Sequence, residues 1–188
     1  MSARALRRAF LAVEPPPVVL DAIDSVVDRV RASGGRLRWT TRPQWHVTLQ
    51  FLGPVANVAS LERAIGEALR SVPPATVRLG GGGAFPRAAR ASVLWVGCVQ
   101  GADGFGSLAT AAGEAAGSLG YEAEGRRFRP HVTLARARER HDARPCVEAI
   151  GDGPVGPAWR IEEVVLFESD THPEGARYTS VSRMPVGR

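Results

Sequence analysis

The sequence predicts an α+β fold built from two related halves. Segments with the alternation of β-strands and segments with the apolar spacing of helices follow one another along the 188 residues. The tetrapeptide His-Val-Thr-Leu occurs twice, at His46–Leu49 and at His131–Leu134. Such self-similarity indicates two equivalent halves. We therefore expect one bilobal domain over residues 1–188, in which both motifs lie on central strands and face a shared groove.

In the first half, the pattern predicts strands that alternate with helices. The predicted elements are a strand (7–13), a helix (18–32), a short strand (36–40), the strand of the first motif (46–53) and a helix (58–72). Gly34-Gly35 is expected to end the first helix, and Gly53-Pro54 to end the motif strand. In the second helix, Leu61, Ile65 and Leu69 fall on one face and predict its buried side.

The second half repeats the order of helix, approach segment and motif strand. The predicted elements are two strands (75–80 and 91–99), a helix (104–120), the second motif strand, a short Ala/Arg segment (143–150), a long strand (159–168), a polar turn (169–176) and a last strand (177–184). The run Gly80–Gly83 lacks the Lys-Ser/Thr of a phosphate-binding P-loop and does not open a helix. We therefore predict a flexible hairpin connection there.

Composition restricts the class of protein without deciding it. The net charge is +5, and all 24 basic side chains are arginine, which suits phosphate recognition but also follows from a GC-rich genome. Cys98 and Cys146 are too few for a disulfide framework or a cysteine metal site. No apolar run is long enough to span a membrane. We expect a cytoplasmic monomer without an obligate protein partner.

The motif spacing places the reactive side chains on one face of each strand and the packing side chains on the other. Residues i and i+2 of a strand share a face, so His46 projects with Thr48, and His131 projects with Thr133. One neutral imidazole and one imidazolium can remove a proton from water and protonate a leaving oxygen, while the hydroxyls hold phosphate oxygens. A single His-x-Thr would be interpreted as packing, but its duplication favours catalysis. Zinc is disfavoured because no further ligand stands at a suitable spacing.

The motifs and their surroundings resemble a known family. The segments RPQWHVTLQFLG and FRPHVTLAR, with the opening RAFLAVEPP and the closing LFES and PEGARYTSV, are similar to the bacterial RNA 2',3'-cyclic phosphodiesterases. These form the 2'-5' RNA ligase family of the two-histidine phosphoesterase superfamily. The resemblance implies antiparallel sheets around a central cleft with helices outside. It also implies hydrolysis of RNA 2',3'-cyclic phosphate ends to 2'-phosphomonoesters without metal or cofactor, and a capacity for the reverse 2'-5' ligation.

The resemblance also implies roles for individual residues. It makes His46 the proton donor and His131 the proton acceptor, and it gives Thr48 and Thr133 the task of orienting the phosphate. The residues alone leave the order of acid and base open, because the two tetrapeptides are identical.

Five further side chains near the motifs or in turns can be assigned by strand alternation. Alternation places Arg136 on the face opposite to the motif histidine, so it contacts phosphate only if the strand bends. Phe51 falls on the core face, and Trp45 is open as a base-stacking residue. His141 and His172 have no threonine two residues later and are expected at the surface.

Two other functions stay open at this point. The same groove could hydrolyse small cyclic nucleotides or ADP-ribose cyclic phosphate. Alternatively, the chain could bind RNA without turnover, although such a module has no need for two proton-transfer groups.

Overall fold

The computed structural model describes residues 5–33, 37–122, 127–172 and 175–187. Within these ranges the chain forms one antiparallel sheet of nine strands, with four α-helices. The strands are β1 (Leu6–Val13), β2 (Arg38–Trp39), β3 (Val47–Val55), β4 (Thr76–Phe85), β5 (Ala91–Gln100), β6 (Val132–His141), β7 (Pro154–Arg160), β8 (Glu163–His172) and β9 (Gly175–Pro185). The helices are α1 (Pro17–Arg31), α2 (Val58–Arg70), α3 (Ala102–Gly117) and α4 (Arg144–Ile150), and short 3-10 helices cover Arg42–Gln44 and Ala88–Arg90.

The two motif strands lie side by side in the middle of the sheet. The strand order is β7-β4-β5-β6-β3-β1-β8-β9, with β2 paired to β6. β3 and β6 are antiparallel, and Val47 pairs with Val132. Each motif strand is therefore followed outwards by three more strands. The large antiparallel sheet with its helices confirms the predicted α+β class.

The main apolar core joins the sheet to the helices. In α2, Leu61, Ile65 and Leu69 are fully buried, as the helical spacing predicted. Asn57 caps this helix, because its side-chain oxygen accepts a hydrogen bond from the Ser60 N–H at 3.1 Å. The core contains residues from both halves of the sheet and from all four helices. This shared core supports the proposal of a single bilobal domain.

Two expectations from the composition concern the cysteines and membrane-spanning helices. Cys98 is half-buried and Cys146 is buried, and both are free thiols. None of the helices in the described ranges is long and apolar enough to cross a membrane.

A β-bulge follows the threonine of the first motif. Thr48 pairs with Ala12 of β1. The next β1 residue towards the N-terminus, Leu11, pairs with Gln50, so β3 carries one extra residue here. An extra residue reverses the face on which later side chains point. Phe51 consequently leaves the core face and is 52% exposed, so the prediction of a core position for it was wrong.

The second motif strand has a bulge at the equivalent position. Thr133 pairs with Trp95 of β5, and the preceding residue of β5, Leu94, pairs with Ala135. The extra residue again changes the alternation, so Arg136 is exposed rather than buried. The strand therefore carries the irregularity that Arg136 needs in order to leave the face opposite to the motif histidine. Its contact with phosphate stays a prediction.

Gly53-Pro54 does not end the first motif strand, contrary to expectation. β3 continues to Val55, and Gly53 has a positive φ of 68° at a register shift against β1. Among the described residues, β6 pairs with β3 only at Val47. The outer part of β3 thus lies beyond this pairing, where the missing N–H of Pro54 breaks no ladder with β6.

The glycine run is a packed strand, so the prediction of a flexible connection was wrong. Gly80–Gly83 lie inside β4, and the connection to β5 is formed by residues 86–90. A Cβ at Gly82 would lie 2.8 Å from Ile150 Cβ, and one at Gly83 would overlap the Trp95 ring. Glycine is required here because a helix and an indole approach the strand backbone closely.

The predicted long strand 159–168 is two strands, β7 and β8. The chain between them crosses from one half of the sheet to the other, since β7 pairs with β4 and β8 pairs with β1. At the crossing, the Ile161 N–H donates to the Ala75 carbonyl at 2.9 Å, and the Val186 N–H donates to the Glu162 carbonyl at 2.9 Å. Tertiary pairing, which the apolar pattern does not encode, divides the segment.

The polar turn predicted at 169–176 is shorter than expected. β8 extends to His172, which pairs with Gly175 at the start of β9. Residues 173–174 lie outside the described residues, as does the expected helix stop at Gly34-Gly35.

Candidate active site

The two motif histidines leave adjacent strands at the same level of the sheet. His46 and His131 directly precede the paired residues Val47 and Val132. They are therefore the last residues before their strands rather than members of them. Val47 and Val132 are fully buried in the core, which anchors both strand starts and presents the histidines from neighbouring backbones.

Each imidazole is held by the carbonyl two residues before it. His131 Nδ1 lies 2.7 Å from the Arg129 carbonyl oxygen. Since a carbonyl only accepts hydrogen bonds, Nδ1 carries the hydrogen and Nε2 is left for proton transfer. The ring of His46 makes the matching hydrogen bond to the backbone of Gln44. The two motifs therefore hold their imidazole rings by the same kind of backbone hydrogen bond.

Burial and nearby positive charges lower the pKa of both motif histidines. Burial lowers the pKa of His46 from 6.5 to about 4, assisted by the positive charge of Arg136 and by His131, against the Gln44 carbonyl. Burial also lowers the pKa of His131, assisted by Arg136 and Arg129, against the Arg129 carbonyl. Arg136 acts on both rings, so the structure brings these three side chains together. An anion bound among them would raise the pKa of both imidazoles.

Different side chains surround the two histidines. The His46 ring centroid lies 4.8 Å from that of Phe10, 5.1 Å from that of Tyr178 and 6.0 Å from that of Phe167. Phe10 and Phe167 belong to a small cluster separate from the main core, and Tyr178 packs on it. This aromatic cluster encloses His46 and accounts for the strong effect of burial on its pKa.

Fewer aromatic rings surround His131 than His46. Its centroid is 5.0 Å from that of Phe85, edge to face, and 6.0 Å from that of Trp95. The guanidinium of Arg129 lies over the Trp95 ring at 5.7 Å. A cationic group and a glycine-rich strand thus flank this histidine.

Thr48 and Thr133 each follow a fully buried valine and are themselves half-buried. By strand alternation we expect their hydroxyls on the face of the motif histidines. Their contact with phosphate stays a prediction.

Comparison with known proteins identifies the family. A family model described as the 2'-5' RNA ligase superfamily matches residues 6–173. This chain belongs to the 2'-5' RNA ligase superfamily.

The superfamily relatives resemble this chain over most of their length. A protein of Methanothermobacter thermautotrophicus is 27% identical over 179 residues, which cover 93% of this chain and 96% of its own. A protein of Aeropyrum pernix is 30% identical over 159 residues, which cover 82% and 89%. Both are named RNA 2',3'-cyclic phosphodiesterase.

Solved structures agree with this membership. TT0787 of Thermus thermophilus has a TM-score of 0.81 and 27% identity, covering 96% of this chain and 98% of its own. Escherichia coli LigT complexed with 3'-AMP has a TM-score of 0.70 and 27% identity, covering 97% and 99%. The resemblance stated from the motifs is confirmed at the level of family and fold.

Trp45 does not face the groove of this superfamily member. It is 4% exposed, and its indole N–H donates to Thr40 Oγ1 at 3.0 Å. Thr40 Oγ1 lies 2.8 Å from the carbonyl oxygens of Thr133 and Leu134. Trp45 therefore ties the approach to the first motif onto the second motif strand, and its role is structural.

His141 and His172 lie at the far ends of their strands. His141 is the last residue of β6, and His172 is the last of β8. Both are half-buried, and the ring Nε2 of His141 is buried without an acceptor among the described residues. The expectation of a plain surface position was therefore wrong for His141. Within the described ranges, no three His, Cys, Asp or Glu side chains gather to hold a metal ion.

Sequence reasoning missed the residues that surround the histidines. Phe10, Tyr178, Phe85, Trp95 and Arg129 are distant in sequence from at least one motif, and strand pairing brings them together. Their only sequence signal was an aromatic or arginine side chain within a predicted strand or just before a motif. That signal does not tell which face of the sheet a residue takes.

Proposed function

We propose that this chain hydrolyses the 2',3'-cyclic phosphate ends of RNA to 2'-phosphomonoesters, with His46 and His131 as the proton-transfer pair. The observation that carries the proposal is that two imidazoles from adjacent strands share one groove and one arginine, Arg136. The superfamily relatives named RNA 2',3'-cyclic phosphodiesterase support the substrate. The enzyme is accordingly a phosphoric diester hydrolase.

The reaction divides between the two imidazoles. One removes a proton from the attacking water, whose oxygen forms the new bond to phosphorus. The bond from phosphorus to the ribose 3' oxygen breaks, and the other imidazole protonates that oxygen, which leaves the phosphate on the 2' oxygen. Because the net proton count on the pair is unchanged, the cycle needs one neutral and one protonated histidine and no metal ion.

The order of acid and base follows the family in this proposal. His46 is the donor and His131 the acceptor. The low pKa of His46 opposes this order in the free protein, since the ring is neutral near pH 7. The negative charge of the bound cyclic phosphate favours protonation of His46 and supplies the acid.

The remaining site residues bind the phosphate. Thr48 and Thr133 donate hydroxyl hydrogens to its non-bridging oxygens, and the Arg136 guanidinium adds charge-assisted hydrogen bonds. These donors stabilise the negative charge that develops on the phosphate oxygens in the transition state.

We propose that the enzyme works as a cytoplasmic monomer.

The test is product analysis of a short RNA with a 2',3'-cyclic phosphate, incubated with the protein in excess chelator. Wild type should yield a 2'-phosphate end, and His46→Ala or His131→Ala should lower the rate by about 10² to 10⁴-fold. His172→Ala is the matched control and should retain full activity. Turnover that persists in both motif variants would contradict the assignment, and absence of any turnover with intact RNA binding would favour a binding module.

Small nucleotides are the second candidate substrates. The similar LigT structures include complexes with 3'-AMP and with NADP+, which favours a groove that accepts mononucleotides. Adenosine 2',3'-cyclic phosphate and a dinucleotide with the same end separate the candidates. A higher kcat/KM for the dinucleotide supports RNA, and a higher value for the mononucleotide supports the alternative.

A further inference from the structure

A pocket of about 440 Å³ adjoins the second motif. Its floor is the backbone of Gly80–Gly82 and Gly97, and its walls include Trp95, Arg129 and Val99. Arg129 also supplies the carbonyl that orients His131, and Trp95 contacts that ring. The pocket therefore adjoins His131 through two of its lining residues, Trp95 and Arg129.

The glycines give this pocket its shape. A Cβ at Gly97 would lie 3.1 Å from the Trp95 ring, and one at Gly83 would overlap it. The indole can therefore lie directly on the backbone of β4 and β5, which leaves an open floor beside it. A volume of this size falls in the range of pockets that hold small organic ligands.

The chemistry of the walls suits a nucleobase. The guanidinium carbon of Arg129 lies over the Trp95 ring, 5.7 Å from its centroid, and guanidinium planes and aromatic rings are the surfaces on which single-stranded bases stack. Val99 is 47% exposed at the rim and offers an apolar contact. Asp152 also lines the pocket and can accept a hydrogen bond from a base amino group, whereas its charge disfavours a second phosphate.

The indole N–H of Trp95, a residue that lines the pocket, has no acceptor among the described residues. This N–H is buried, and the residue as a whole is only 8% exposed. A buried donor of this kind is unfavourable and is a feature of sites that a ligand completes. Because this N–H is closed to solvent, a base nitrogen or carbonyl oxygen reaches it only if the indole turns towards the pocket.

We propose that this pocket binds the base of the penultimate RNA nucleotide, the one before the nucleoside that carries the cyclic phosphate. The inference rests on the proposed function, because the position of the pocket is defined relative to a phosphate between His46 and His131. The terminal ribose occupies the groove, and the chain then passes Trp95 into the pocket. The subsite makes a dinucleotide a better substrate than a mononucleotide.

The test fills the pocket without touching the motifs. Val99→Trp places a bulky ring at the exposed rim, and Val18→Trp is the matched control, since Val18 is 56% exposed on α1 and does not line the pocket. The substrates are adenosine 2',3'-cyclic phosphate and a dinucleotide with the same terminal group. Val99→Trp should raise KM for the dinucleotide about tenfold, the magnitude of one stacked base, with kcat unchanged. The mononucleotide and the Val18 variant should be unaffected.

Two results would overturn the subsite. A dinucleotide KM that stays at the wild-type value in Val99→Trp shows that the pocket is not used, and an equal loss on both substrates places the terminal base there instead. If wild type hydrolyses neither substrate, the proposed function fails separately. Fluorescence anisotropy with a labelled dinucleotide 2'-phosphate then decides the pocket, because Val99→Trp should still weaken binding about tenfold relative to Val18→Trp.

Discussion

The two motifs share their local structure and differ in their surroundings. Each has a histidine before a strand, a carbonyl that orients the ring, and a bulge after the threonine. His46 is enclosed by three aromatic rings, whereas His131 lies beside a glycine strand and an open pocket. The repeated tetrapeptide thus positions and orients the two imidazoles alike, and the unrepeated strands around it set the pKa of each ring and the space beside it.

The bulges extend this comparison beyond the tetrapeptides. Phe51 follows the first bulge and Arg136 follows the second, so both side chains project from equivalent points. One half of the repeat offers an apolar ring there and the other a positive charge. The two halves therefore differ at these equivalent points, and single substitutions can test each side.

Among substitutions around the two histidines, the largest expected effect is that of Arg136→Met. Its guanidinium is the charge common to both histidines, and its loss should lower kcat/KM for the cyclic phosphate by about 10- to 150-fold, the range of a hydrogen bond to a charged group. The pKa of both imidazoles should rise, so the acidic limb of the pH–rate profile should move to higher pH. Steady-state kinetics across the pH range measure both effects.

The matched control for this charge is Arg138→Met. Arg138 is an exposed arginine two residues further along β6, and its removal should leave the pH profile in place. If the two variants behave alike, Arg136 contributes only general positive charge to the groove.

The surroundings of the two histidines also differ in how closely side chains pack against the strand backbone. Gly83→Ala should lower the free energy of unfolding by about 2 kcal/mol, because the new Cβ would overlap the Trp95 ring that lines the His131 side. Gly66→Ala is the control in α2, where no atom lies within 4 Å of the added Cβ, and should stabilise the protein by about 0.5 to 1 kcal/mol. Urea denaturation measures both, and equal shifts of the same sign would contradict the close packing.

These cases show what pattern alone can and cannot predict. The positions of α1, α2, α3 and the motif strands follow from local spacing, as does the pairing of His with Thr on one face. The bulges do not, because an extra residue is defined only against a partner strand. Phe51 was misplaced for that reason, and the glycines of β4 were misread because their need for space comes from Trp95 and Ile150, which are distant in sequence.

The aromatic enclosure of His46 should make stability depend on pH. Its pKa is about 4 in the folded protein and 6.5 when unperturbed, so the unfolded chain binds more protons between these values. The contribution is constant above pH 6.5 and is lost as the pH falls towards 4. We expect a loss of the order of 2 kcal/mol, reduced because the groove side of the ring is open to water.

Urea unfolding at several pH values checks this dependence. His46→Gln should flatten the curve between pH 6.5 and 4, while the part that comes from His131 persists. A wild-type stability that is flat across this interval would show that the aromatic cluster does not disfavour the charged ring.

The smallest expected effect tests the other side of the bulge pair. Phe51 is half exposed beside Phe10, whose ring contacts His46, so its free face can stack a base of the substrate. Phe51→Ala should raise KM about five- to tenfold with little change in kcat, since stacking on one ring contributes about 1 kcal/mol or slightly more. Leu119→Ala removes a similarly exposed apolar side chain after α3 and should change neither constant. If Phe51→Ala instead lowers kcat and leaves KM unchanged, the ring supports His46 through Phe10, and the His131 flank alone binds the bases.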